Sequence, residues 1–458
     1  MRYTLTLLEH VYIEAQAYFQ TFGPLESAGY IFARISTTEN EVRLIGRSFV
    51  SVDEADVLDR SEVGVSIDSK SFMRALRHAD ETQQCFIFVH SHPGNFDHFS
   101  EKDDREEPPL FRTAYIRAKT MQPHASVVFQ GDGRVFGRVW LEDGAQQSIS
   151  RIRVIGDRIR FFDSGGQTNV TSPVFDRQVR AFGKDMQRLL GTLRAVVAGA
   201  GGTGSATCEQ LMRLGIGHID CFDPQALDLT NVNRVYGSGV ADEGTPKVEL
   251  VRRNCARIGV GTTLEVHQES ITSQKVAKLL RRADVIFGCT DDEFGRSILD
   301  QIALRYAIPV FDMAVKIDSK DQQIIGITGR VTVLSPGQAC LLCRERITAA
   351  RITADALRAF NAEEAAARRK EGYAPELDDP DPAVVSFTTA VAAQAVTEFL
   401  QRLTGFMGES RRHSETILNF CRKENIFNRQ SPDVSCDCGN PKVIGVGDQR
   451  TFLDRTWA

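Results

Sequence analysis

The first 145 residues alternate short hydrophobic runs with polar segments, which predicts strands around one amphipathic helix at residues 69–79. The predicted strands are the apolar runs at residues 30–33, 85–89, 125–129 and 134–140. A Gly131-Asp132-Gly133 turn joins the last two as a hairpin. We therefore expect a mixed α/β domain over residues 1–145.

Polar, glycine-containing stretches follow this domain and predict a linker over residues 146–172. Within it, residues 151–155 and 158–162 predict a small hairpin. The sequence leaves open which domain this hairpin joins.

Strands alternate with helices after residue 173, which is typical of a mostly parallel, doubly wound sheet. The predicted parallel strands are the apolar runs at residues 193–198, 218–222, 264–267, 284–288 and 309–311. Residues 323–334 predict two further, antiparallel strands, and the polar segment 349–382 predicts a crossover outside the core. We expect a Rossmann-like α/β domain over residues 173–458.

Bulk composition narrows the class of protein. A chain of 458 residues predicts two or three domains, and its hydrophobic and charged fractions, 42% and 25%, are those of a soluble globular protein. The net charge of -5 gives no support for binding to nucleic acid or an anionic membrane. We find no apolar span and no secretory signal, and we expect a cytoplasmic protein whose ten cysteines bind metal or fill the core rather than form disulfides.

A candidate zinc site follows the predicted strand at 85–89. His90 and His92 are two residues apart, so both imidazoles point to one side of a strand, and Asp103 adds an oxygen ligand. Three protein ligands leave one coordination position for water, as in catalytic zinc sites. Ser100 to Asp103 also form a capping box, which would hold Ser100 and Asp103 at the start of a helix.

This spacing, with Pro93 after His92, resembles the JAMM metalloprotease family, whose fold is MPN-like. The family's glutamate matches Glu26, just before a predicted strand. The resemblance implies that His90, His92 and Asp103 hold zinc, that Glu26 is the general acid/base, and that Ser100 supports the oxyanion. His98 lies off the pattern and is expected at the surface.

A candidate nucleotide site begins at Gly199-Ala200-Gly201-Gly202-Thr203-Gly204, between a predicted strand and a helix. Gly199, Gly201, Gly202 and Gly204 let the backbone approach phosphates at a helix N-terminus. Asp223, at the end of the next strand, is placed to bind ribose hydroxyls. These features alone are compatible with an NAD or FAD enzyme.

Polar residues downstream favour nucleotidyl transfer over hydride transfer. Asn231, Arg234 and Lys247 would contact a triphosphate, and Asp291 would hold Mg²⁺. Together with the glycine loop they resemble the E1/ThiF/MoeB family of ATP-dependent carboxylate activators, over residues 175–438. The resemblance implies adenylation of a protein's C-terminal carboxylate.

Three further positions bear on this resemblance. Arg177 matches the family's arginine finger, which would reach across a homodimer interface. Asp292 stands where the family usually has asparagine, and Gln225 replaces a usual second aspartate. These departures leave the ribose and metal geometry open.

The cysteines divide into a predicted structural zinc set and predicted core residues. The CxxC and CxC pairs suit a closed tetrahedral zinc site; its ligands are Cys340, Cys343, Cys436 and Cys438. The core set is Cys208, Cys221, Cys255 and Cys289. Residues 344–420 contain no cysteine to accept the acyl group, so we assign no thioester residue. Cys421 is the nearest spare thiol, and Ser386, Thr388 and Thr389 are expected to start a helix.

The combined resemblance implies a JAMM-type peptidase joined to an E1/ThiF-type adenylating domain, with zinc, ATP and Mg²⁺ as cofactors. The expected substrate is the C-terminus of a ubiquitin-like protein in a bacterial modification pathway, with an E2-like protein as a further partner. Activation of a sulfur carrier as a thiocarboxylate remains an alternative. So do a non-catalytic scaffold for ubiquitin-like proteins and a nicotinamide or flavin oxidoreductase.

Overall fold

The computed structural model describes the whole chain except residues 95, 118–122, 165–171, 322, 362–363, 365–381, 409–410, 456 and 458. It divides into two compact units. The first comprises Met1–Gln167 and Ile444–Phe452, and the second comprises Thr168–Val443 and Leu453–Ala458. Much of the predicted crossover at 349–382 lies outside the described residues.

The first unit contains a mixed sheet, a separate small hairpin and helices. Its strands are β1 (Arg2–Leu8), β2 (Ala28–Thr37), β3 (Glu41–Ser51), β4 (Val57–Ser61), β5 (Gly64–Ile67), β6 (Cys85–His92), β7 (His124–Gln130), β8 (Val135–Trp140), β9 (Gln146–Ser148), β10 (Arg151–Ile155) and β11 (Ile159–Asp163). Its helices are α1 (Glu9–Gln20), α2 (Ser69–Glu81) and α3 (Glu101–Arg117).

The order of strands in the large sheet is β11-β10-β1-β3-β2-β6-β7-β8-β9, so β6 lies in the interior between β2 and β7. Helices α2 and α3 pack on this sheet through Phe72 and Phe111, which share a core with Phe86 of β6 and Trp140 of β8. Strand β6 is therefore held on both edges by hydrogen bonds and on one face by aromatic packing. This is the strand that ends in the two histidines.

The hairpin predicted at residues 151–162 belongs to the first unit. Strand β10 pairs in parallel with β1, and β11 pairs antiparallel with β10 at the edge of the sheet. All residues of β10 are buried, since it has neighbours on both sides.

A short C-terminal segment, residues 444–452, also belongs to the first unit. The Arg47 guanidinium donates to the Ile444 carbonyl at 2.7 Å, and the Thr37 N–H donates to Asp448 at 2.6 Å. Gly447 has φ +57°, and a Cβ there would lie 2.1 Å from the Ile35 carbonyl oxygen. Only glycine fits so close an approach at a positive φ. The predicted boundary had assigned this segment to the C-terminal domain.

The second unit is a doubly wound sheet between helices. Its strands are β12 (Arg194–Ala198), β13 (His218–Phe222), β14 (Thr263–His267), β15 (Val285–Gly288), β16 (Val310–Lys320), β17 (Gln323–Leu334), β18 (Glu415–Asn419) and β19 (Glu424–Asn428). Its helices are α4 (Asp176–Phe182), α5 (Lys184–Leu190), α6 (Gly202–Leu214), α7 (Lys247–Ile258), α8 (Gln274–Leu279), α9 (Glu293–Tyr306), α10 (Ala349–Phe360) and α11 (Val385–Thr404).

The order of strands in this sheet is β14-β13-β12-β15-β16-β17-β18-β19, parallel from β14 to β16 and antiparallel beyond. The chain order reverses between β12 and β15, which makes a crevice at the carboxyl ends of these strands. The prediction of two strands within 323–334 is wrong. These residues form one strand because β17 pairs with β16 along its whole length, and the register shift opposite Asp318 and Ser319 leaves Ile325 as an extra residue without ending the strand. Among the described residues, no helix has the length and apolarity of a membrane span.

Candidate functional site

The two histidines at the end of β6 and the aspartate of α3 converge on one point. The Nε2 atoms of His90 and His92 are 3.2 Å apart. Asp103 places Oδ1 at 3.3 Å from His90 Nε2 and Oδ2 at 3.4 Å from His92 Nε2. Both histidines are almost completely buried.

The start of α3 holds Asp103 in this position. Asp103 Oδ2 accepts hydrogen bonds from the Ser100 N–H and hydroxyl, both at 2.7 Å. In return the Asp103 N–H donates to Ser100 Oγ at 3.2 Å. The predicted capping box is therefore present, and the same carboxylate that caps the helix faces the histidines.

These three ligands fit a zinc ion. In a tetrahedral site with metal–ligand bonds of about 2.0–2.1 Å, ligand atoms are about 3.3–3.4 Å apart. The two Nε2 atoms are 3.2 Å apart, and each lies at a similar distance from a different oxygen of Asp103, so the three side chains are within reach of one ion. Two imidazoles and one carboxylate are also a donor set found in catalytic zinc sites.

Glu26 lies beside this pocket without entering the ligand set. Strand β2 pairs antiparallel with β6 so that Ala28 lies opposite His90, and Glu26 comes two residues before Ala28. Glu26 Oε1 is 4.0 Å from His92 Nε2. Burial raises the pKa of Glu26 to about 7, with His90 lowering it and Asp103 raising it. The carboxyl group can therefore both take up and release a proton near neutral pH.

The loop before α3 carries Ser100 and His98. The Ser100 hydroxyl lies at the pocket through its bonds to Asp103. His98 is exposed and interacts with Asp97 rather than with the ligand set.

The nucleotide loop lies at the carboxyl ends of β12 and β15. Gly199 has φ +105°, and a Cβ there would lie 2.6 Å from the Cys289 carbonyl oxygen. A Cβ on Gly204 would lie 1.8 Å from the Gly199 carbonyl oxygen. Helix α6 starts at Gly202, and no side chain among the described residues caps its first N–H groups. The loop thus leaves backbone donors and the helix N-terminus available for phosphates.

Asp223 braces this loop. Its carboxylate accepts from the Ala200 N–H at 2.7 Å and from the Gln225 N–H at 2.8 Å. Burial raises the pKa of Asp223; the two backbone donors and Lys247 oppose that rise, and Asp291 adds to it. Asp291 is therefore close enough to act electrostatically on Asp223, at the same edge of the sheet.

The two departures from the family pattern keep their local contacts. Lys247, the first residue of α7, donates from Nζ to Gln225 Oε1 at 2.6 Å, so the amide preserves an acceptor for the lysine. Asp292 caps α9 by accepting from the Gly295 N–H and the Thr290 hydroxyl. An asparagine oxygen would make the same cap, because both side chains are good N-caps.

Of the other residues predicted to contact the nucleotide, only some lie next to the glycine loop. Arg234 donates to the Thr230 carbonyl at 2.6 Å, and its methylene groups lie 3.3 Å from a Cβ built on Gly202, against the start of α6. Asn231 ends a 3₁₀ turn next to it. Arg177 is exposed on α4, and within the described part of the chain no hydrogen bond or ion pair joins it to the loop.

Four cysteines form a second candidate metal site. Cys340 Sγ lies 3.6 Å from Cys436 Sγ, and Cys343 Sγ lies 3.5 Å from Cys438 Sγ. All four sulfur atoms are within 4.8 Å of one another. Zn–S bonds of about 2.3 Å would separate the sulfurs by about 3.8 Å, so this set fits a structural zinc.

The sequence did not indicate a buried ion pair beside the crevice. Asp312 of β16 pairs with Gly288 of β15 in the sheet, and Arg330 Nη2 lies 2.7 Å from its Oδ2. Arg296 of α9 lies 3.7 Å from Asp312 Oδ1 and donates to the Thr290 carbonyl, next to Asp291. The only available signal was an aspartate inside an apolar run.

A sequence model of the ThiF family matches residues 175–440, more than half of the chain. The chain belongs to the ThiF family. The first unit carries a JAB-like domain, since the description "Prokaryotic homologs of the JAB domain" matches residues 9–131. The predicted fusion of these two domains is thereby confirmed, as is the predicted fold class.

Three curated relatives each align with 35–38% of this chain. Molybdopterin-synthase adenylyltransferase of Escherichia coli is 27% identical over 177 residues, which cover 38% of this chain and 68% of that protein. Ubiquitin-like modifier-activating enzyme 5 of Drosophila willistoni is 28% identical over 35% of this chain and 40% of its own length. The sulfur carrier protein ThiS adenylyltransferase of Bacillus subtilis is 26% identical over 35% of this chain and 46% of its own length.

Among solved structures, E. coli MccB with MccA-N7isoASN aligns with 60% of this chain and 76% of that chain. The TM-score is 0.46 and the sequence identity is 15%.

Proposed function

We propose that this chain is a bifunctional enzyme that acts on the C-terminus of a ubiquitin-like protein. The ThiF unit adenylates the terminal carboxylate, and the JAB-like unit hydrolyses an acyl bond at the same terminus. The observation that carries this proposal is the coexistence of the His90/His92/Asp103 pocket and the glycine loop with Asp223 and Lys247 in one chain. One shared substrate explains why a bond-cutting site and a carboxylate-activating site are joined.

In the proposed adenylation, the carboxylate oxygen of the modifier attacks the α-phosphorus of ATP, and pyrophosphate leaves. The N-terminus of α6 and the loop N–H groups bind phosphate oxygens. Asp223 accepts hydrogen bonds from the ribose hydroxyls. The two backbone N–H groups occupy only part of the acceptor capacity of its carboxylate. Arg234 and Lys247 neutralise the departing pyrophosphate, and Asp291 would hold Mg²⁺, which would supply further charge neutralisation.

In the proposed hydrolysis, Glu26 takes a proton from the attacking water and delivers it to the leaving amine. Zinc held by His90, His92 and Asp103 would polarise the scissile carbonyl and acidify the water. The Ser100 hydroxyl, already at the pocket, would support the oxyanion.

A second candidate function is activation of a sulfur carrier. The 344–420 segment has no cysteine to form a thioester, and one curated relative is named for a sulfur carrier. In that case the acyl adenylate would receive sulfur from an external donor and become a thiocarboxylate. In the ubiquitin-like case an E2-like protein would be the next partner.

The decisive experiment combines ATP–pyrophosphate exchange with mass spectrometry of a candidate modifier that ends in glycine. Conjugation chemistry predicts exchange, an acyl adenylate and cleavage of a modifier–peptide fusion. Formation of a thiocarboxylate without any conjugate would favour sulfur-carrier activation over action on a ubiquitin-like protein. A protein that binds modifier but shows neither zinc, exchange nor cleavage would be a scaffold, and a bound nicotinamide or flavin would mean an oxidoreductase.

We further propose a homodimer in which Arg177 completes the partner's nucleotide site. Its exposure on α4 supports this arrangement, because the residue is free to reach a second copy. Mixing Arg177→Ala with Asp291→Ala chains at equal amounts should restore activity at about a quarter of the sites, since half of the dimers are mixed and each has one intact site. Two inactive parents that stay inactive when mixed would exclude a shared site.

A further inference from the structure

The carboxylate of Glu107 is held firmly on the inner face of α3. Glu107 follows Asp103 by one helical turn and is only 3% exposed. Its Oε2 atom accepts three hydrogen bonds, from Ser126 Oγ at 2.8 Å, Arg138 Nε at 2.8 Å and Trp140 Nε1 at 3.0 Å. Three donors on one oxygen determine the orientation of the carboxylate.

The other oxygen, Oε1, is buried and has no hydrogen-bond partner among the described residues. Burial of an unpaired carboxylate oxygen is costly, so a donor is expected nearby. The three donors on Oε2 already account for the structural anchoring of the helix. Oε1 is therefore available to accept a hydrogen bond from a further donor.

A matching unpaired atom lies in the metal pocket. His90 Nδ1 is buried and likewise has no partner in the described chain. His90 stacks on Phe88, which pairs in the sheet with Ser126, the residue that anchors Glu107. His90 and Phe88 are two residues apart on β6, so the imidazole lies on the sheet face on which Glu107 contacts Ser126.

We propose that Glu107 Oε1 accepts a hydrogen bond from the Nδ1–H group of His90, directly or through one water molecule. This bond orients His90 Nε2 toward the metal. A histidine that binds a metal through Nε2 carries its proton on Nδ1, and an acceptor for that proton fixes the ring. Glu107 is then a positioning residue for zinc. This inference rests on the proposed zinc peptidase.

The substitution Glu107→Gln tests the acceptor specifically. The amide oxygen must remain toward Ser126, Arg138 and Trp140, because an NH₂ group there would face three donors. The amide nitrogen then takes the place of Oε1 and cannot accept from His90. Arg138 keeps a carboxylate partner in Asp104, so the metal-free fold should survive.

We expect the dissociation constant for zinc at this pocket to rise by about 10–100-fold in Glu107→Gln, the usual effect of losing a carboxylate behind a metal-bound histidine. Zinc alone is the probe, measured by chelator competition on the full chain, with His92→Ala defining the background from the four-cysteine site. Metal-free thermal unfolding is recorded in parallel.

Two controls separate positioning from charge and from structure. Glu106→Gln removes the same charge from an exposed site on α3, and Ser126→Ala removes one donor from Oε2 but leaves Oε1 in place. Both should bind zinc as the parent does. Equal zinc affinity in parent and Glu107→Gln, whatever the change in unfolding temperature, would overturn the inference.

If Glu107→Gln does not fold, the zinc-loaded parent decides the question. Its crystal structure should show Oε1 of Glu107 hydrogen-bonded to His90 Nδ1 or bridged to it by one water. Any other acceptor on Nδ1 refutes the inference. A parent that binds no zinc at His90, His92 and Asp103 would instead refute the proposed peptidase itself.

Discussion

The metal pocket and the nucleotide loop differ in how far they are assembled before a ligand binds. In the pocket, the Nε2 atoms of His90 and His92 already lie 3.2 Å apart, and each lies 3.3–3.4 Å from one of the two oxygens of Asp103. At the loop, by contrast, Lys247 is bonded to Gln225 and Arg234 to the Thr230 carbonyl. ATP must therefore replace internal contacts, whereas a metal ion meets ligands that are already in position.

The difference follows from the elements that carry each site. The histidines lie on a strand in the interior of a sheet, and Asp103 is fixed by the cap of α3. Arg234 and Gln225 lie in the connection between β13 and α7, where side chains can exchange partners. We expect substitutions in the pocket to act mainly on rate, and substitutions at the loop to act on ATP binding as well.

The largest effect is expected from Glu26→Gln. Loss of a general acid/base typically costs about 10²–10⁴ in rate. Cleavage of a modifier–peptide fusion should fall by that factor while zinc content, measured by atomic emission, stays at the parent level. Glu14→Gln, on the exposed face of α1, is the matched control. If zinc is lost together with activity, Glu26 is a ligand rather than a proton carrier.

Asp291→Ala should reduce ATP–pyrophosphate exchange by about 10³-fold, because a metal ion stabilises several kcal/mol of transition-state charge. Cleavage by the JAB-like unit is the internal control and should be unchanged. Loss of both activities would contradict two separable sites.

Glu41→Gln should destabilise the first unit by about 3–5 kcal/mol, because buried Arg43 and Arg153 lose the counter-charge that Glu41 supplies. Burial opposes ionisation of Glu41, but these arginines, Thr4 and Arg2 more than offset it and hold its pKa well below the usual range.

A depressed pKa makes the contribution of Glu41 pH-dependent. The stabilisation by Glu41 is fully present above the pKa of glutamate in the unfolded chain, about 4.3, and decreases as the pH falls below that pKa. Denaturant unfolding from pH 3 to 7 should therefore show an acid-dependent loss in the parent that is weaker in Glu41→Gln. Identical pH profiles would exclude Glu41 as the cause.

The smallest effect is expected from Gln225→Ala. Because ATP must replace the hydrogen bond between Lys247 and Gln225, worth about 1.5 kcal/mol, its loss should lower the KM for ATP by up to about tenfold with little change in kcat. Gln323→Ala, at an exposed position of β17, is the control. A change confined to kcat would mean that Lys247 is positioned by Gln225 only in the transition state.

Local sequence signals predicted much of both sites. The strand before His90, the cap at Ser100 and the glycine loop before α6 all depend on residues close in sequence, and all are present. The spacing of the four cysteines likewise predicted a cluster that the structure contains. Their functional roles remain predictions.

Contacts between distant segments were not predictable in the same way. β17 is one strand because β16 pairs with it throughout, and β18 and β19 extend the sheet beyond the predicted strands. The segment at 444–452 carries no periodic pattern that would assign it to the first unit, where Arg47 and Thr37 bind it.

The sequence by itself determined the chemistry of this protein: the ligand types, the glycines where no Cβ fits, and the alternation of strands and helices. These depend on residue identity and short-range geometry. Only the tertiary structure decided which atoms face one another, such as Glu26 beside His92, or Oε1 of Glu107, which no donor in the described part of the chain reaches. Such placements depend on strand order and burial, which are properties of the whole chain.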